Sequence, residues 1–97
     1  MGEVLRKIRM IYGYKAKEMS RLLDISPSYL SEIENNKKKP TLDLLEKYSK
    51  IFQIKVSSII AMSENYNEDL KNNLNINKVM VRLMNYLAAL HGDDDDD

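Results

Sequence analysis

At 97 residues, with 15 basic and 15 acidic side chains and no cysteine, the chain is sized for one small domain with an appendage. The missing cysteines exclude a disulfide framework, a thiolate metal site and a cysteine nucleophile, and they point to an intracellular setting. The zero net charge conceals a division, because residues 1–55 carry 12 Lys/Arg against 7 Asp/Glu while residues 56–97 carry 3 against 8.

Leu5, Ile8 and Tyr12 predict a first helix from about Glu3 to Tyr12, ended by Gly13. Met19, Leu22 and Leu23 recur at helical spacing and place a second helix over Lys15 to Leu23. Asp24 follows where a left-handed residue must end that helix, a conformation Asp tolerates better than most. Ile25 is expected to face inward. Ser26 offers a hydroxyl cap, and Pro27 sits at the first helical position, where no N–H is missed. A third helix therefore starts at Pro27. With Leu30 and Ile33 buried, Ser28, Ser31, Glu32 and Asn35 share the opposite face.

An outward face of small and polar side chains, on a helix clamped by Leu30 and Ile33, suits insertion into the major groove of duplex DNA. Ser28, Ser31, Glu32 and Asn35 are the expected base-contacting residues, with Glu32 able to accept from cytosine N4. Lys15 and Lys17 at the start of the second helix, and Lys37, Lys38 and Lys39 directly behind the third, are the expected phosphate contacts. Tyr29 stands at the flank of the third helix, its ring against the domain and its hydroxyl available to a phosphate. All of these residues lie in the basic half of the chain, and local charge near the binding face outweighs the whole-chain sum.

Glu18-Met19, the turn Asp24-Ile25-Ser26, the run Tyr29 to Asn35, the loop Lys37 to Thr41 and the later Leu44, Leu45 and Ile51 together carry a resemblance. From Leu5 to about Ile60 the chain resembles the phage-repressor type, or Xre-type, lambda-repressor-like helix-turn-helix family. Ala16, Ser20 and Asn36 stand where that family often has Gln, Ala and Gly. The resemblance implies an all-α fold, a compact bundle of about five helices, and binding of operator DNA as a dimer. It also implies a structural salt bridge between Arg9 and Glu34 that fixes the third helix.

Thr41 caps a fourth helix whose stripe Leu44, Leu45, Tyr48, Ile51 and Phe52 runs to about Phe52. Gln53 to Val56 reads as a connector, and Ser57 as the cap of a last turn bearing Ile59 and Ile60. Past Met62 five asparagines crowd a stretch that reads as a polar linker or weak helix, residues 63–75. Over residues 76–91, Ile76, Met80, Leu83, Leu87 and Leu90 make a heptad seam on an additional C-terminal amphipathic helix. So short a helix must bury its stripe, either on the same helix of a second subunit or back on its own domain; the homodimer is the favoured home. Residues 92–97 read as a disordered acidic tail.

Catalysis finds no support. Glycine occurs only at positions 2, 13 and 92, which rules out a phosphate-cradling glycine loop, and Glu32 and Glu34 are two residues apart on a helix and diverge. His91, the single histidine, makes no metal site without cysteine partners, so neither a metal nor a cofactor is expected. No 18-residue apolar run and no secretion signal are visible, which places the expected site of action in the cytoplasm, away from membranes. The functional expectation is a DNA-binding transcriptional regulator, a repressor occupying a palindromic operator as a dimer. The alternative is a protein-interaction module, such as an antitoxin, that binds a protein partner through residues 64–91.

Overall fold

The computed structural model describes residues 1–72 and 76–91, with the side chains of residues 76, 77, 79 and 91 outside that description. Six helices follow one another among the described residues: α1 (Gly2–Ile11), α2 (Ala16–Leu23), α3 (Pro27–Glu34), α4 (Leu42–Phe52), α5 (Val56–Lys71) and α6 (Ile76–His91). The fold is all-α, and local chemistry sets most of its boundaries.

Single residues set several of the helix starts and stops. Ser26 Oγ accepts the Tyr29 N–H at 3.1 Å and Thr41 Oγ1 accepts the Leu44 N–H at 3.1 Å, so α3 and α4 begin on hydroxyl caps. Asp24 ends α2 in the left-handed region at φ 56°, and the following Ile25 N–H reaches back to the Ser20 carbonyl at 3.0 Å. Gln53 does the same after α4, at φ 55°. Asn36, at φ 60°, turns the chain after α3, and its Oδ1 accepts the Gly2 N–H at 2.9 Å, tying the start of α1 to the end of α3.

The core gathers Val4, Leu5 and Ile8 from α1, Met19 and Leu23 from α2, Leu30 and Ile33 from α3, Leu44, Leu45, Tyr48 and Phe52 from α4, and Ile59 and Met62 from α5. Ile25 and Tyr29 pack on its edge. Leu22 and Ile60, expected inside, are exposed, and Tyr12 lies at the surface with its ring centroid 4.8 Å from that of Phe52. Met19 and Leu23 are four apart and suffice to seat α2, leaving Leu22 one step off the buried stripe.

Two expectations about the C-terminal third are corrected. Of the two readings of residues 63–75, polar linker or weak helix, the structure has helix through Lys71, because α5 runs unbroken from Val56, and it is Lys55, not Ser57, that precedes its first turn. Its buried stripe continues through Ser63, Tyr66 and Asp69, polar and aromatic positions that hide the helical period. Tyr66 hydrogen-bonds Glu3, Lys7 Nζ lies 5.3 Å from its ring centroid, and Arg82 Nη1 donates to Asp69 Oδ1. The seam of α6 is corrected too. Leu83 and Leu87 are buried in the chain's own core, where α6 packs on α1 and α5, so neither is available to a second subunit. Met80 is half-buried and Leu90 is at the surface, while the side chain of Ile76, and residues 73–75 and 92–97 altogether, lie outside the described residues.

Candidate nucleic-acid interface

α3 is held from below and presented from above. Leu30 and Ile33 are 1% and 0% exposed, and Glu34, three residues after Ser31, turns inward to meet Arg9 of α1. Arg9 Nε donates to Glu34 Oε2 at 2.8 Å and Arg9 Nη2 to Oε1 at 3.0 Å, a bidentate fork, while Nη1 donates to the Tyr14 carbonyl at 2.9 Å. With both side chains nearly excluded from water, this pair fixes the roll of α3 about its axis. Tyr48 lies beside it with its hydroxyl buried and without a partner among the described residues. Burial, and then the Glu34 carboxylate, push that phenol well above its ordinary value, with Arg9 opposing.

The opposite face of α3 is open. Ser28, Ser31 and Asn35 are exposed and Glu32 is partly so, and α6 packs elsewhere, on α1 and α5. Most of the polar groups on this face are already engaged. Asn35 Nδ2 donates to the Ser31 carbonyl at 2.8 Å and to Ser31 Oγ at 3.2 Å, which leaves the Asn35 Oδ1 acceptor without a partner among the described residues. Glu32 Oε2 lies 3.3 Å from Lys38 Nζ. Only Ser28 of the four carries no such contact among the described residues, and it opens the helix just after Pro27.

Lys37, Lys38 and Lys39 are all exposed in the loop that follows. The Lys37 and Lys38 N–H groups both donate to the Glu32 carbonyl, at 2.8 and 3.2 Å, so the loop folds directly over the last turn of α3. Lys38 Nζ also lies 5.7 Å from the ring centroid of half-buried Tyr29. Lys15 and Lys17 are exposed at the start of α2, where Glu18 Oε1 accepts the Lys15 N–H at 3.1 Å. That carboxylate occupies part of the helix terminus on which a phosphate would sit. The Glu32–Lys38 pair and the Asn35–Ser31 bonds were not anticipated from sequence, although the four- and six-residue separations make both geometrically legible once α3 and its turn are placed.

The HTH_3 helix-turn-helix family matches residues 5–59. Over 60 residues the chain is 37% identical to a protein named transcriptional regulator ClgR from Mycobacterium tuberculosis, covering 62% of this chain and 54% of that protein. It is 40% identical over 47 residues to an uncharacterized HTH-type transcriptional regulator from Archaeoglobus fulgidus, covering 48% of this chain and 20% of that protein. The match therefore spans about half the length of the first relative and a fifth of the second. No solved structure matches significantly. No helix among the described residues is long and apolar enough to cross a membrane.

Proposed function

The chain belongs to the HTH_3 helix-turn-helix family, and on that premise we propose that it is a DNA-binding transcriptional regulator that represses by occupying a palindromic operator in the cytoplasm. The observation that carries this reading is the uncovered polar face of α3, with a three-lysine loop folded over its end. Ser28, Ser31, Glu32 and Asn35 meet base edges in the major groove; Lys15, Lys17, Tyr29, Lys37 and Lys39 hold the phosphates on either side. Regulation by occupancy needs no catalysis, metal or cofactor.

A palindromic site calls for two copies of α3 one duplex turn apart, roughly 34 Å. With Leu83 and Leu87 committed to the core, the two-fold contact falls to the outer side of α6, where Val81 and Met84 are 53% and 51% exposed. The same exposed pair favours the second reading, a helical scaffold that docks a protein partner through residues 64–91.

Retention on random duplex DNA with rising salt separates the two. A regulator is retained at low salt and shows a steep loss of affinity with salt, and replacing Lys37, Lys38 and Lys39 together flattens the slope by up to about 0.9 for each phosphate no longer neutralised. A chain that is not retained even at low salt overturns the DNA reading in favour of the protein-docking one.

A further inference from the structure

Lysines behind a recognition helix are ordinarily read alike, as phosphate clamps. The structure separates one of them from its neighbours. Among the described residues Lys37 and Lys39 have no side-chain partner, whereas Lys38 has two: its Nζ lies 3.3 Å from Glu32 Oε2 and 5.7 Å from the Tyr29 ring centroid. Its backbone N–H is also bound, to the Glu32 carbonyl at 3.2 Å. The Glu32 side chain is 37% exposed and that of Lys38 is 56% exposed, so in water such a pair adds little to folding.

Its consequence appears when a duplex covers the face. Glu32 is an acid on a surface that must approach two rows of phosphates, and a lone carboxylate there is both repelled and desolvated. Lys38 cancels that charge in place. It also draws on Oε2, leaving Oε1 without a partner among the described residues. A carboxylate biased in this way toward one oxygen can accept from cytosine N4.

We infer that Lys38 is a positioning residue for base readout, acting on Glu32 and Tyr29 and not on a phosphate, so that its loss changes which base is preferred. This rests on the DNA reading above and adds a specificity determinant to it.

The test uses the full chain and two duplexes: the sequence best selected from a random pool, and the same duplex changed at the base pair whose preference Glu32→Gln alters. The wild-type protein is expected to favour the first by about fivefold or more. Lys38→Met brings that ratio close to one, as Glu32→Gln does, while Lys38→Arg retains it because the guanidinium can still pair with Oε2. Lys37→Met and Lys39→Met weaken both duplexes by the same factor and leave the ratio intact. The inference is overturned if Lys38→Met behaves like Lys37→Met, or leaves both affinities unchanged, or if Glu32→Gln alters no base preference although the wild-type protein selects a sequence. A wild-type protein that binds no duplex at all removes the functional reading itself, a result distinct from these. Thermal melts of the variants confirm that the fold is intact.

Discussion

Gly2 is buried where α1 meets the end of α3, and a Cβ built on it falls 2.0 Å from the Ile33 carbonyl oxygen and 3.0 Å from that of Glu34. Neither oxygen can yield without moving α3. Gly2→Ala is therefore expected to destabilise by roughly 1–3 kcal/mol, as overpacking does, in chemical denaturation, whereas an alanine at Gly13 meets open space and costs only the strain of φ 79°, about 1 kcal/mol. Nothing local marks the Gly2 approach, since its partners lie more than thirty residues away. The Arg9–Glu34 fork is equally invisible to periodicity; it came from resemblance. By contrast Ser26 and Thr41 were readable outright, because a hydroxyl cap acts on an N–H three residues on, and Asp24 because a left-handed stop depends on the residue that adopts it. Breaking the fork by Glu34→Gln leaves a buried guanidinium without its counter-charge, and a loss on the order of 3–5 kcal/mol is expected, seen as a lowered Tm before any change in DNA binding is measurable.

At the scale of the helix, the lesson lies in the contrast between α3 and the pair α5 and α6. The whole of α3 was legible because its cap, its Pro at the first position and its two inward aliphatic residues agree. Beyond Met62 α5 read only as linker or weak helix because its inward positions are Ser63, Tyr66 and Asp69, the last two of which meet Glu3 and Arg82 on other helices. Of the apolar stripe read on α6, Leu83 and Leu87 are buried, and of its two expected homes they occupy the one on the chain's own domain. A heptad seam specifies that a face must be covered, and α1 and α5 cover it as well as a second subunit would. Truncating Leu83 to Ala, at 5% exposure, is expected to cost about 2–5 kcal/mol in denaturant unfolding. Val81→Ala and Met84→Ala, on the outer side, leave unfolding within about 0.5 kcal/mol, and Val81→Asp with Met84→Asp shifts sedimentation toward the monomer if the two-fold axis passes there.

For the molecule as a whole, charge and burial were only half legible. The basic N-terminal half could be counted from the sequence, and Tyr48 stood in the stripe of α4; that Tyr66 is taken out of water and Tyr12 is left at the surface could not be read. Tyr48, Tyr12 and Tyr66 all have their phenols pushed upward, by burial first in each case and in Tyr66 next by its hydrogen bond to Glu3. A folded-state value raised above the unfolded one means that the unfolded chain ionises first. Stability present below pH 10 is thus expected to fall as pH rises above about 10, in a denaturant midpoint titration. Tyr48→Phe, which deletes a buried hydroxyl without a partner among the described residues, is expected to be within about 1 kcal/mol of neutral and to make that alkaline loss shallower. Of the six helices, α1 touches three others, α3, α5 and α6, through Gly2, Arg9 and the Leu5–Ile8 stripe. It is a keystone of the arch: its middle turns are expected to exchange their amide protons among the slowest, while those of α6, which packs on α1 and α5, are expected to escape through a smaller opening that leaves the reading surface standing.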